Sequence, residues 1–238
     1  MRISLTLLLC AFASGIAAQA SPIVFLTPSG SATGGRSVSA EADFSLSNGV
    51  LTLVLKNSQS GMVDAGQLLT DIFFVLDGVD SANLTAVTGT QIHLDGKTGD
   101  VDPLNNNWIL QTGVEPFENA FHLDMLNHQP NLGILGPSPN PNSSLKNGPH
   151  NPLYDQQAVF TIKSPEISEN TNISGVVFSF GTTACSENSS NCIAAIPQTH
   201  PGPQTDPVPE PVALFSAGSG LLVVAGFARR FRRQRQPE

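Results

Sequence analysis

Val38-Ser39-Ala40-Glu41-Ala42-Asp43-Phe44-Ser45-Leu46-Ser47-Asn48-Gly49-Val50-Leu51-Thr52-Leu53-Val54-Leu55-Lys56 consists of two runs of alternating character joined by a turn. In the first, Val38, Ala40, Ala42, Phe44 and Leu46 alternate with Ser39, Glu41, Asp43 and Ser45. Successive side chains of a strand point to opposite faces, so this period of two turns one face toward a core. Leu51, Leu53 and Leu55 then alternate with Thr52, Val54 and Lys56. Between the runs, Asn48-Gly49 is a strong hairpin signal, because both residue types tolerate positive φ. The stretch predicts an antiparallel hairpin with a Ser47-Asn48-Gly49 turn.

Further strands are predicted at Asp71–Leu76, Asn83–Val87, Thr90–Leu94, Trp108–Thr112, Ala158–Lys163 and Gly175–Phe180, each bounded by Gly, Pro, Asn or Asp nearby. Ile72, Phe74 and Leu76 make one face of the first of these apolar, and Phe73 and Val75 the other, so it is expected at the centre of a sheet. Short strands separated by turn residues, with no fixed repeat, predict an all-β chain: a single antiparallel β-sandwich, jelly-roll-like or immunoglobulin-like. From Asn127 to Tyr154 the chain is dense in Asn, Pro, Gly and Ser, as in Gly136-Pro137-Ser138-Pro139-Asn140-Pro141-Asn142. It is read as a large surface loop or an insertion between strands.

The 238 residues are unevenly charged. Of the 11 Lys+Arg, only Arg36, Lys56, Lys97, Lys146 and Lys163 lie between the two ends, whereas all of the 19 acidic residues except Glu238 precede the terminal arginines. That body is strongly acidic and repels nucleic acid and anionic membrane surfaces, so no nucleic-acid partner is expected.

Both ends read as addresses. Arg2, an apolar core from Ile3 to Ala13 and the small-x-small pattern Ala18-Gln19-Ala20 describe a secretory signal peptide over residues 1–20, cleaved before Ser21. Cys10 lacks the small residue that a lipoprotein cysteine needs before it, since Leu9 stands there. An exported domain over 21–196 follows, then a proline-rich spacer over 197–208, extended and semi-rigid. Pro209-Glu210-Pro211 precedes the uncharged run 212–228, about 17 residues, which as a helix just spans a ~30 Å hydrocarbon core. Arg229, Arg230, Arg232, Arg233 and Arg235 come next and would hold the C-terminus on the cytoplasmic side.

Proline motif, apolar span and arginine cluster, in this order over 209–235, resemble the PEP-CTERM sorting signal of Gram-negative bacteria, a tail also labelled an ice-binding-protein C-terminal segment. The resemblance implies a membrane-embedded processing enzyme, exosortase, as partner, after export by the Sec machinery and signal peptidase. It implies an intermediate anchored in the inner membrane, then display on the cell surface or in the extracellular matrix, in a setting of exopolysaccharide and biofilm. Asp64-Ala65-Gly66-Gln67-Leu68-Leu69-Thr70-Asp71-Ile72-Phe73-Phe74-Val75-Leu76 and Asn172-Ile173-Ser174-Gly175-Val176-Val177-Phe178-Ser179-Phe180-Gly181-Thr182 resemble segments of small exosortase-dependent surface proteins. No activity follows from that likeness.

Cys185 and Cys192 remain once the leader is gone. An even pair in a Ser/Asn-rich loop of an exported chain is expected to form one local disulfide.

Candidate chemistry is sparse. Gly96-Lys97-Thr98 lacks the earlier glycine of a phosphate-binding loop, Gln91 standing in its place. Asp95, Asp100 and Asp102 are candidates for Ca²⁺, although their spacing is not that of an EF-hand, and Asp77 and Asp80 are read with them as solvated loop acids. His122 and Asp124 would share a strand face, with His128 near, but no third metal ligand is marked in the sequence. Glu115 and Glu118 flank Pro116-Phe117 and are the carboxylate pair to inspect for glycoside hydrolysis, a chemistry defined by separation in space. One Trp, Trp108, and one Tyr, Tyr154, are few for stacking sugars. Sequons at Asn83, Asn142, Asn172 and Asn188 mark a polar surface. There is no Gly-x-Ser-x-Gly elbow. No enzyme activity and no cofactor are expected. The body is expected to be structural or adhesive, the competing possibilities being a carbohydrate- or Ca²⁺-binding module and a secreted hydrolase.

Overall fold

The structure, a computed structural model, describes residues 22–198 apart from 98, 100–106, 114–116, 118, 126–130, 184 and 187–188. Several expectations fall outside those residues: the signal peptide with Cys10, Ala18 and Ala20, the sorting tail with its span at 212–228, and the candidates Asp100, Asp102, Glu115, Glu118, His128 and Asn188. Among the described residues the chain is all-β, with 3₁₀ turns at Ala65–Gln67 and Gly148–His150 and no α-helix. None of the described helices is long and apolar enough to cross a membrane.

Six strands form one antiparallel sheet in the order β16 (Ile196–Pro197), β1 (Ile23–Leu26), β4 (Ala40–Ser47), β5 (Val50–Asn57), β13 (Gln157–Lys163) and β7 (Asn83–Thr88). A second sheet runs β15 (Cys192–Ala194), β14 (Ile173–Phe180), β6 (Leu69–Leu76), β11 (Ile134–Leu135), β12 (Leu153–Asp155) and β8 (Gln91–Ile92). From β6 a branch continues through β10 (Phe121–Asp124) to β9 (Ile109–Thr112). A small hairpin joins β2 (Ala32–Thr33) to β3 (Arg36–Ser37). Pairing is antiparallel in both large sheets except between β11 and β12, which run parallel. Pro197 extends the last strand into the stretch read as spacer; as an edge residue it loses no ladder bond for want of an N–H.

The hairpin forms as expected, in register from Ala40 opposite Asn57 to Ser47 opposite Val50. Its turn differs in detail. Gly49 has φ +79° while Asn48 is not left-handed, so this is not the type I′ turn that Asn-Gly favours. A tertiary contact accompanies it: the Gly49 N–H donates to the Ile167 carbonyl at 2.9 Å, and the Ser164 N–H donates to the Gly49 carbonyl at 3.2 Å.

Alternation decides which faces meet. Ala40, Ala42 and Phe44 of β4 and Leu51, Leu53 and Leu55 of β5 are buried, and they share one hydrophobic cluster with Ile72, Phe74, Leu123 and Phe178 of the second sheet. Phe44 meets Phe74 edge-on, ring centroids 5.4 Å apart, which joins the sheets at the centre. Each such fully buried Leu or Phe contributes on the order of 1.5–3 kcal/mol. β6 is buried on both faces, in keeping with its central place. Its second face, at Phe73, packs with Ala120, Val177 and Cys185.

The segment expected as a surface loop is in part core. Leu132, Ile134, Leu135, Leu145, Leu153 and Tyr154 are buried, and two of its stretches enter the second sheet as β11 and β12. The polar residues that suggest a loop instead satisfy backbone groups: Asn151 Nδ2 donates to the Leu145 and Asn147 carbonyls at 3.0 and 2.9 Å. Asn57, fully buried on β5, donates to the Ile134 carbonyl at 2.9 Å and the Gln67 carbonyl at 3.0 Å, holding this segment against the first sheet. The strand expected over 90–94 shortens to Gln91–Ile92.

Candidate functional site

On β6 the odd-numbered side chains Asp71 and Phe73 point away from the shared core. The register places Asp124 of β10 opposite Asp71 and His122 opposite Phe73, while on the other side Ser179 of β14 stands opposite Asp71 and Val177 opposite Phe73. Asp71, His122 and Asp124 are 0%, 5% and 7% exposed. Each offers a ligand atom, and these atoms all lie within 4.8 Å of one another.

Neither Asp71 oxygen and neither His122 nitrogen is in hydrogen-bonding geometry with a partner, and the same holds for Ser179 Oγ. His122 Nε2 approaches Asp71 Oδ2 to only 3.9 Å. Its ring lies flat on Phe73, centroids 3.9 Å apart and planes 6° from parallel, so the strand pairing fixes its orientation. Burial lifts the Asp71 carboxyl to about 6, against smaller opposing pulls from Asp124, Ser179 and the Met125 amide. Burial likewise pushes His122 below its ordinary value, with the negative charge of Asp124 pulling the other way. Both groups are thus disfavoured in their charged forms. The arrangement can share a proton between carboxylates or hold a divalent cation.

The His122–Asp124 pair was legible from strand spacing, whereas Asp71 was read only as the start of an apolar strand. A signal was present: an acid that opens a run apolar on both faces sits where charge is costly unless partnered.

Elsewhere the candidates do not converge. Asp95 interacts with His93 Nδ1 at 3.3 Å, accepts from the Lys97 amide at 3.1 Å and lies 3.6 Å from Lys97 Nζ, so it already faces donors. Its carboxyl is held below the usual range, first by that amide. Asp77 accepts from Asn172 Nδ2 at 2.8 Å, and the Asp80 amide donates to Glu166. Trp108 and Tyr154 are both buried, Trp108 donating through Nε1 to the Leu132 carbonyl at 3.1 Å, so neither is a platform for sugar. Among the described residues no Phe, Tyr or Trp is exposed. Cys185 and Cys192 form a disulfide with Cα atoms 5.5 Å apart, and it packs beside Phe73 on the same covered face as the Asp71 cluster.

Compared with known proteins, the chain matches no family model, no curated protein and no solved structure.

Proposed function

We propose that this chain is an exported, exosortase-sorted protein of the cell surface or extracellular matrix, with a structural or adhesive body built as a two-sheet sandwich, jelly-roll-like or immunoglobulin-like. The observation that carries this is the order Pro209-Glu210-Pro211, uncharged run, five arginines, at the end opposite a secretory leader. Prolines keep the chain extended ahead of the span, leaving a backbone that a membrane-embedded enzyme can grip, whereas a helix would hide it. The disulfide of the exported domain suits an oxidising compartment. Its acidic balance suits a soluble, non-nucleic-acid-binding exterior, and exopolysaccharide is the matrix partner that the resemblance implies.

Two other readings have less support. A carbohydrate-binding module would present exposed aromatics, and Trp108 and Tyr154 are core residues. A Ca²⁺ module would use Asp95, which faces His93 and Lys97. The deciding experiment compares the mass of the mature protein in cells with and without exosortase. Loss of the tail only in the presence of the enzyme is expected, and replacing Pro209-Glu210-Pro211 by alanines should block that loss while leaving export intact. A tail that persists in both strains makes this an ordinary single-span anchor.

A further inference from the structure

We infer that Asp71, His122 and Asp124 form a buried site for a divalent transition-metal ion of the zinc class, closed and structural in kind. Geometry comes first. The three ligand atoms lie within 4.8 Å of one another, with Asp71 Oδ2 and His122 Nε2 3.9 Å apart. Ligands held around zinc at ~2.0–2.2 Å lie ~3.3–3.6 Å from each other, so small side-chain rotations close the shell. Native interiors pair almost all buried polar atoms, yet both Asp71 oxygens and both His122 nitrogens lack a hydrogen-bond partner. They are aimed at one another across adjacent strands, and the register brings the Asp124 carboxylate of β10 up to Asp71.

Donor chemistry selects the ion. One imidazole with two carboxylates suits Zn²⁺ or Mn²⁺, whereas Ca²⁺ collects six to eight oxygens. Ser179 Oγ, buried and facing Asp71 from β14, offers a further oxygen. The stacked Phe73 ring holds the imidazole plane, so little order is lost on binding. An ion here cross-links β6 and β10 beside the disulfide, reinforcing the outer face of the second sheet. The inference does not depend on how the chain is sorted.

The test uses the full-length chain, stripped with a chelator and titrated separately with Zn²⁺, Mn²⁺ and Ca²⁺ while heat of binding and melting temperature are followed. One Zn²⁺ per chain and a raised melting temperature are expected, with no response to Ca²⁺ at the same concentration. Asp71→Asn and Asp124→Asn should each weaken Zn²⁺ binding at least tenfold, and Asp77→Asn, at an exposed carboxylate, should leave it unchanged. Should the buried variants fail to fold, X-ray absorption of the Co²⁺-loaded wild-type chain decides. A shell of one imidazole and carboxylate oxygens supports the site, and a shell without imidazole overturns it. Absence of saturable Zn²⁺ binding, or undiminished affinity in both folded variants, also overturns it and leaves the carboxylates sharing a proton.

Discussion

Asp71 on β6 stands directly opposite Asp124 on β10, so two carboxylates share one covered face of the second sheet. Burial disfavours the charged form of Asp71 on that face. Asp71→Asn is therefore expected to stabilise the metal-stripped chain by on the order of 1–2 kcal/mol, since it removes a buried charge while keeping the shape. Urea unfolding of the stripped proteins measures it. A lowered midpoint would mean that the native carboxyl is already well partnered.

Lys56 supplies a pH dependence of known sign. It bridges Glu41 at 2.5 Å and Asp43 at 2.6 Å on the outer face of the hairpin. Burial, the largest single influence, pulls its ammonium down, but the hydrogen bonds and charges of Asp43 and Glu41 together outweigh it and raise the group above 10.5. A cation whose folded value is raised contributes stability that is fully present below 10.5 and is lost as pH rises through the folded value. Thermal melts from pH 9 upward should show the wild-type chain losing its small advantage over Lys56→Met at the alkaline end. An advantage that grows with pH would contradict the bridge.

Cys185 and Cys192 close a short loop over Phe73. By loop entropy such a ring is worth ~2–3 kcal/mol, so the double Ala variant should still fold, with a lower denaturation midpoint and faster amide exchange confined to 182–192. Peptide mapping without reductant should recover one bonded pair and no free thiol.

Gly136 tests whether the proline- and asparagine-rich segment is packed. A Cβ there would run into the Gln59 carbonyl and press on Met62 Sδ at 3.0 Å, and backbone cannot step aside as a flexible side chain can. Gly136→Ala should cost about 2–4 kcal/mol in chemical denaturation. Gly34→Ala, where nothing lies within 4 Å, should cost only the strain of its positive φ, about 1 kcal/mol.

The all-β class, the β4–β5 hairpin and the central place of β6 were legible because each rests on local physics. A period of two states which side chains are inside, and an apolar run on both faces states that the strand has neighbours on both. The addresses expected at each end rest on equally local features, length, hydropathy and flanking charge within one stretch, and lie outside the described residues. Pairing partners were not legible in this way. β10 is four residues in which a histidine and an aspartate alternate with Phe121 and Leu123, and only its register against β6 shows that the polar pair shares the covered outer face with Asp71. The 127–154 segment, described from 131 onward, was in part misjudged for the same reason: its Asn and Pro content describes the backbone it builds, while its tertiary contacts are with Asn57 and Met62, which lie far away in sequence. Local composition sets what each strand tends to be, and long-range pairing alone decides that Asp71, His122 and Asp124 meet, because the energy of that meeting exists only once β6 and β10 are side by side.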